Sequence, residues 1–260
     1  MRALRERRPD EAERLAVQVL KSDRANIAAA EILARALLLQ DRAAEAVDPL
    51  RRAAKRSDNP AIATLFAAAL SASGERDEAC AVLTAITERT PPFLPAFLDL
   101  AALLDKANCS DNAIAVLERG LAHAPNAIDL QMRLGTILLD RNDRVRARVL
   151  FENVRTAAPE RHDAIVALAR VATGDGDHAA AADLYRRALG LKPDDALARI
   201  NLAKCLFELG DRDAGETALR AATRVAPHYT GLAVAALANA PKGRVFLKPS
   251  RAAKFVRDGE

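Results

Sequence analysis

PERHDAIVALARVATGDGDHAAAADLYRRALGLKP, residues 159–193, begins and ends on proline, and this spacing of prolines recurs along most of the chain. Proline occurs at intervals of 34 residues, at Pro91, Pro125, Pro159, Pro193 and Pro227. A fixed period of about 20–50 residues is the sequence signature of a protein built from structural repeats. We therefore count each repeat from the third residue after its proline.

This register defines full repeats with a shared pattern in their first half. The repeats are 27–59 (one residue short), 60–93, 94–127, 128–161, 162–195 and 196–229. Their seventh, eighth and eleventh positions are large, small and large apolar residues in nearly every case, as in Leu100, Ala101 and Leu104. These spacings place the three residues on one face of a first helix. The small eighth residue lets a partner helix approach closely.

The second half of each repeat has its own pattern. The twentieth position is small and the twenty-fourth is large, as in Ala113 and Leu117, which predicts a second packed helix. Between the two helices, the fifteenth position is always glycine, asparagine or aspartate. These are the residues that most readily adopt the left-handed backbone that ends a helix, so we expect that conformation here. The fifteenth residues are Asp41, Gly74, Asn108, Asn142, Gly176 and Gly210. The proline then closes the second helix.

Together these positions resemble the tetratricopeptide repeat family over roughly residues 9–240. The resemblance implies an all-α fold, a right-handed α-solenoid of tetratricopeptide-like helix–turn–helix repeats. One departure from the family pattern is that four of the 34-residue repeats lack the aromatic residue often found at position 4, where Ala63, Gln131, Ile165 and Arg199 stand. In repeat 27–59, Pro49 predicts a kink in the second helix, or a restart of that helix at Asp48.

The register divides the chain into four segments. Residues 1–26 are predicted to form a leading capping helix, the second helix of a partial repeat, and 27–229 to form six repeats. Residues 230–241 are predicted to form a C-terminal capping helix, and 242–260 a basic, apolar tail. Two interpretations of 1–26 stay open: the helix caps the array, or an upstream helix has been removed.

The tail is expected to dock because the helix over 230–240 is unusually apolar for a cap. We expect GRVFLK (243–248) to fold back as an extended segment. A short helix over 251–257, capped by Ser250, is expected to dock on the last helix pair. In the competing interpretation the tail is a mobile basic hook for a partner or an anionic surface.

Charge and hydropathy argue against several classes of partner. The formal net charge of +4 resides in the tail, since the other basic and acidic residues cancel. A neutral body with few aromatic residues is a poor surface for specific nucleic-acid binding, although the tail could contact an anionic surface weakly. No run reaches the ~18 apolar residues of a membrane span, and the first twenty residues lack the apolar core of a signal peptide. We expect a cytoplasmic protein, and the preference for arginine over lysine favours a bacterial source.

No constellation of residues indicates catalysis or a cofactor. Three cysteines and four histidines are scattered over different repeats in spacings that match no zinc or redox motif. Gly174-Asp175-Gly176-Asp177 hints at a calcium loop, but lacks the third acidic position and the distal glutamate of that motif. We therefore expect no metal and no cofactor, and a protein that is not an enzyme.

In the resembled family, the first helices line a concave groove. Outward positions 2, 5, 6, 9, 12 and 13 are mostly apolar in the N-terminal repeats and polar in the later ones, which suits an amphipathic helix or an extended segment with apolar anchors. The alternative is that the charges there are merely solvated. Neither the basic clamp for an acidic C-terminus nor the asparagine ladder, both known in the family, is present. The candidate groove contacts are Arg35, Asp99, Met132, Arg133, Thr136, Arg170, Asn201 and Lys204.

The resemblance therefore predicts a protein–protein interaction scaffold or adaptor, which binds a partner peptide or helix in the groove. The alternative is a regulatory or substrate-recruiting module of a larger bacterial enzyme, by analogy with other arrays of this kind. A groove that is strongly basic would be needed for a nucleic-acid partner, and the sequence does not show one.

Overall fold

The computed structural model describes residues 2–6, 8–240 and 249–258, and this part of the chain is built from α-helices with one short 3₁₀ turn at Pro227–Tyr229. The helices of the described residues are α1 Arg2–Arg5, α2 Pro9–Ser22, α3 Ile27–Leu39, α4 Ala43–Ala54, α5 Pro60–Ser73, α6 Arg76–Thr87, α7 Leu94–Lys106, α8 Ser110–His123, α9 Ile128–Asp140, α10 Arg144–Ala157, α11 His162–Gly174, α12 His178–Leu191, α13 Ala196–Glu208, α14 Arg212–Val225, α15 Thr230–Ala238 and α16 Pro249–Asp258.

The turns within the repeats have the left-handed backbone that the fifteenth positions predict. Asp41, Asn108 and Asn142 have φ angles of 57°, 60° and 65°, and the three glycines at this position are also positive. The predicted turn conformation is therefore confirmed at all six of these positions. In α10, α12 and α14, the second helix begins after an aspartate whose side chain accepts a hydrogen bond from a backbone amide of the first turn.

The residue before each of four repeat prolines marks the end of a second helix. Ala124, Ala158, Lys192 and Ala226 each precede a repeat proline and share φ near −140° and ψ near 80°. Steric contact with the proline ring disfavours the helical conformation at such a residue, so each helix stops at the same place. Of the two alternatives at Pro49, the restart at Asp48 is wrong, because α4 continues from Ala43 to Ala54 with Pro49 inside it.

Small residues allow the helix crossings that the eighth position predicts. Ala34, Ala67, Ala101, Ala169 and Ala203 are all fully buried. At Gly135 the crossing is tighter still, since a Cβ there would lie 2.6 Å from Cε1 of Phe151. The second helix therefore presses its large residue against backbone, and this contact excludes any side chain at position 135 without rearrangement.

The described chain forms two compact units, and the border between Arg133 and Leu134 falls inside α9. In the N-terminal unit (Met1–Arg133), successive helices pack in pairs, as in α3 with α4 and α5 with α6. In the C-terminal unit (Leu134–Glu260), the same holds for α11 with α12 and α13 with α14. The division into six repeats with two capped ends stays a prediction.

The last helix, α16, docks on the preceding helix pair, as the docking prediction for the tail requires. Phe255 and Val256 of α16 are buried in one cluster with Leu219 and Leu237. The hydroxyl of Thr223 lies within hydrogen-bond distance of the carbonyl of Val256, at 3.2 Å, and also of two carbonyls of its own helix. Helix α16 begins at Pro249 rather than at 251, because proline fits the first turn of a helix. The expected extended segment 243–248 lies outside the described residues.

Candidate functional site

The eight candidate groove residues fall into two sets, one in each unit. The first set belongs to α3, α7 and the start of α9, and the second belongs to the rest of α9, α11 and α13. The N-terminal set is Arg35, Asp99, Met132 and Arg133, and the C-terminal set is Thr136, Arg170, Asn201 and Lys204.

The three candidate arginines are already paired with carboxylates of the same unit. Arg35 contacts Glu31 at 2.9 Å within α3. Arg133 donates a hydrogen bond to Asp105 of α7 at 3.0 Å. In the C-terminal unit, Arg170 of α11 contacts Asp140 of α9 at 2.8 Å. Two of these pairs thus join successive first helices.

The uncharged candidates are less accessible than their positions suggest. Met132 is only 9% exposed, so little of its thioether is available to a partner. Thr136 is half-buried on α9. Asn201 accepts a long contact of 3.5 Å from the ammonium group of Lys204, one turn further along α13. The sequence pattern correctly brings Asn201 and Lys204 together, because they are three residues apart on one helix.

Asp99 lines a depression of about 360 Å³ between α5 and α7, which we call the α5–α7 depression. Its floor consists mainly of small apolar residues, including Ala67 and Ala102. Burial among these walls raises the pKa of the Asp99 carboxyl, because removing water penalises the charged form. Arg76 and Lys106 also line the depression, and the structure records no ion pair for either within the described residues.

Lys204 lines a second depression of about 410 Å³, the α13–α15 depression, which lies within the C-terminal unit. Its walls combine Leu232, which is 40% exposed, with Phe207 and Ala236. Glu208 lies one turn beyond Lys204 on the same rim, and neither side chain has an ion pair in the described part of the chain. The site therefore offers an apolar floor beside one open cation and one open anion.

A buried polar cluster supports the rim of the α13–α15 depression. Tyr185 is 1% exposed, and burial, opposed by hydrogen bonds with Thr173 and Asn201, raises the pKa of its phenol to about 12. The hydroxyl of Thr173 lies 3.6 Å from the Cys205 sulfur, and burial likewise raises the pKa of that thiol. This cluster holds α11, α12 and α13 together beneath Asn201 and favours a preformed rim.

Sequence reasoning missed part of both depressions. Lys106 occupies outward position 13, so the pattern could have identified it, and Glu208, at the same position, is one of the polar outward residues but not one of the eight candidates. Arg76 begins a second helix and reaches the α5–α7 depression from outside the outward positions. Leu232 belongs to α15, which the repeat register treats as a cap. The sequence does not show which charged side chains already have a partner, because this depends on the tertiary structure.

The acidic loop 174–177 is part of the packing. The carboxylate of Asp175 forms ion pairs with Arg144, at 3.0 Å, and with Arg148, both in α10. Asp177 accepts a hydrogen bond from the amide of Ala180 at the start of α12. The carboxylates thus join successive repeats and begin a helix. Within the described ranges, no group of three or more histidine, cysteine, aspartate or glutamate residues is arranged to hold a metal ion.

The paired helices, left-handed turns and outward first-helix faces define an α-solenoid repeat protein. Family models described as Tetratricopeptide repeat match residues 1–60 and 132–196 in one case and 172–240 in another. The chain belongs to the tetratricopeptide repeat family. A search of the curated proteins gives no match.

Solved structures with the same fold include two MamA structures and a complex. MamA residues 41 to the end from Desulfovibrio magneticus RS-1 is 17% identical, with a TM-score of 0.60, and the alignment covers 66% of this chain and 97% of that one. MamA AMB-1 is 20% identical, with a TM-score of 0.56 and coverages of 64% and 98%. The APC/C hetero-tetramer Cut9–Hcn1 is 15% identical, with a TM-score of 0.68 and coverages of 88% and 46%. At these identities the similarity shows the fold alone.

No helix among residues 2–6, 8–240 and 249–258 has both the length and the apolar character that a membrane crossing requires.

Proposed function

We propose that this protein is a non-catalytic scaffold or adaptor that binds a peptide or helix of a partner protein on its first-helix faces. The observation that carries this proposal is a division among the charged residues of these faces. The arginines away from the depressions are paired within the chain, whereas the charged residues that line the two depressions form no ion pair with any part of the chain that the structure describes.

Open charges beside an apolar floor favour binding more than paired ones do. A partner carboxylate at Arg133 or Arg170 would have to compete with Asp105 or Asp140. Exposed ion pairs contribute about 0–1 kcal/mol, so exchanging one for another gives little net affinity. Among the described residues, Lys204 has only a long amide contact, so a new charge-assisted hydrogen bond there is a gain. We therefore propose Lys204 and Asp99 as the principal polar contacts among the eight candidates.

The α13–α15 depression is the proposed centre of the site. Its volume of about 410 Å³ accommodates one large apolar side chain, and Leu232 and Phe207 provide apolar contact. Lys204 and Glu208 would then fix the orientation of the bound segment, since they favour opposite charges spaced about one helical turn apart. A partner helix with one apolar anchor between an acidic and a basic residue matches these features.

Two further observations support a role in protein assembly. The solved Cut9–Hcn1 structure has the same fold and is described as a hetero-tetramer, so this fold serves a protein complex there. Cys80, Cys109 and Cys205 are all unpaired, which agrees with a reducing compartment, and we propose a cytoplasmic location. These points add to the evidence of the depressions, which carries the proposal.

The test compares proteins captured by three immobilised variants from a lysate of the native organism. Lys204→Glu should lose partners that the unmodified chain retains, because it reverses the open cation. Lys192→Glu makes the same charge change at an exposed residue outside both depressions and should retain them. Leu232→Asp should also lose them. Identical captured proteins from the unmodified chain, Lys204→Glu and Leu232→Asp, quantified by mass spectrometry, would contradict the proposed site.

A further inference from the structure

The α5–α7 depression lies within the N-terminal unit and has its charges at its two ends. Asp99 and Lys106, both in α7, are seven residues apart and line it. Seven residues make about two turns of an α-helix, so the two side chains lie on one face, with about 10.5 Å of rise between them. Ala102 and Leu103 line the depression between them. The depression therefore has an acidic end and, two turns further along α7, a basic end.

The basic end has a second cation, Arg76, which is the first residue of α6. Asp99, Lys106 and Arg76 are all exposed, and in the described part of the chain none of them has an ion pair or a side-chain hydrogen bond. Although Asp99 is exposed, the walls of the depression raise the pKa of its carboxyl, because they remove water that would stabilise its charge. A cation from a ligand would restore that stabilisation. Both ends are therefore open to a charge of opposite sign.

The α5 wall of the depression consists of small residues. Ala68 and Ala72 are one helical turn apart and exposed, and Ser71 lies beside them. Ala67, which is fully buried, and Ala102 of α7 complete a surface with short side chains. Short side chains allow the backbone of another helix to approach closely, as at the helix crossings within the repeats. The wall therefore suits a helix that has small residues on its contacting face.

The α13–α15 depression has a different charge pattern, so the two depressions favour different segments. At position 13 of their repeats, Lys106 is basic and Glu208 is acidic. Along α7 the acidic Asp99 precedes the basic end by two turns, whereas along α13 the basic Lys204 precedes Glu208 by one turn. A helix whose charges match one of these spacings therefore misplaces a charge at the other.

We propose that the α5–α7 depression binds a helix of a partner protein that carries a basic and an acidic residue seven positions apart on one face, with small residues between them. The basic residue pairs with Asp99, and the acidic residue pairs with Lys106 and Arg76. The small residues pack against Ala68 and Ala72. This inference rests on the proposed function, because it specifies the partner segment for one of the two depressions.

The test uses designed helical peptides as probes of the full chain. The parent probe is a fluorescein-labelled, alanine-rich peptide of about four helical turns, stapled on its far face, with a lysine and a glutamate seven positions apart. Two companion peptides have lysine, or glutamate, at both places. Fluorescence anisotropy should show saturable binding of the lysine/glutamate peptide, with an affinity at least about fivefold above that of either companion, because each companion places a like charge at one end of the depression.

Charge reversal in the protein should reverse the choice of peptide. The double variant Arg76→Glu with Lys106→Glu makes the basic end acidic, so it should bind the lysine/lysine peptide at least about fivefold better than the lysine/glutamate peptide. Asp99→Lys, at the other end, should favour the glutamate/glutamate peptide in the same way. The matched control is Lys55→Glu with Arg56→Glu, which makes the same change of charge at two exposed residues of the same unit, outside the depression. It should retain the preference of the unmodified chain for the lysine/glutamate peptide.

Several outcomes would overturn the proposal. These are the absence of saturable binding of the lysine/glutamate peptide, equal binding of all three peptides, and an unchanged preference in either charge-reversal variant whose circular dichroism matches that of the unmodified chain. Tighter binding of an unstapled, proline-containing peptide with its charges about three residues apart would assign the depression to an extended segment and so refute the helix. Capture by Lys204→Glu and Leu232→Asp tests the other depression, so failure of this inference is distinguishable from failure of the proposed function.

Discussion

Replacement of Gly135 by alanine tests whether the tight crossing between α9 and α10 determines the sequence at the eighth position. The added Cβ would lie 2.6 Å from Cε1 and 2.9 Å from Cζ of Phe151, well inside van der Waals contact. Phe151 is fully buried, so its ring has no open space in which to move. Overpacking of this kind costs about 1–3 kcal/mol.

The helix propensity of alanine opposes this cost and must be removed by a control. Alanine is more favourable than glycine inside a helix by about 1 kcal/mol. Gly190, in α12, has no atom within 4 Å of the place that a Cβ would occupy, so Gly190→Ala should show the propensity gain alone. The difference in free energy of unfolding between the two variants therefore measures the clash, and we expect about 1–3 kcal/mol.

The assay is thermal and urea unfolding followed by circular dichroism at the helical minimum. Each kcal/mol corresponds to about 2–4 °C in a chain of this size, so Gly135→Ala should melt about 2–12 °C below Gly190→Ala. The double variant Gly135→Ala with Phe151→Leu should show less than the sum of the two single losses, because the smaller side chain relieves the contact. Equal melting temperatures for Gly135→Ala and Gly190→Ala would refute the packing argument.

Three further predictions concern hydrogen bonding and ionisation. Thr223→Val removes the hydroxyl that contacts the buried carbonyl of Val256 and should cost about 1–3 kcal/mol, with faster tryptic cleavage at Lys254 seen by mass spectrometry; unchanged cleavage would argue against docking of α16. Asp99→Asn should raise the melting temperature slightly at neutral pH, because burial raises the pKa of Asp99 and thus disfavours its charged form in the folded state. This gain should vanish as the pH falls below about 4, where the aspartate of the folded and unfolded chains is protonated, and a gain that persists there would contradict it. Tyr185 has a folded pKa of about 12, above its ordinary value of about 10, so stability should fall as the pH rises between these values, and the fall should be shallower in Tyr185→Phe when unfolding is measured by urea titration.

The repeat and its turns could be predicted from sequence because local stereochemistry and side-chain size decide them. Asp41, Asn108 and Asn142 occupy a left-handed position that most residues avoid, and each is found there. Ala101 and Ala203 are small because a helix crosses over them, and both are fully buried. A period of 34 residues repeats these local requirements, so the pattern is visible without any knowledge of distant contacts.

Tertiary structure alone decided which surface residues are open to a partner. The sequence places Arg133 at outward position 6 and both Arg170 and Lys204 at outward position 9, yet the two arginines are paired with carboxylates of a neighbouring helix and, within the described residues, Lys204 is not. Likewise, Val19 resembles any core residue of a second helix by its position in the repeat, yet it is 42% exposed. Hydrophobic periodicity records which face of a helix is apolar, whereas pairing and coverage depend on residues about one repeat away, which no local pattern specifies.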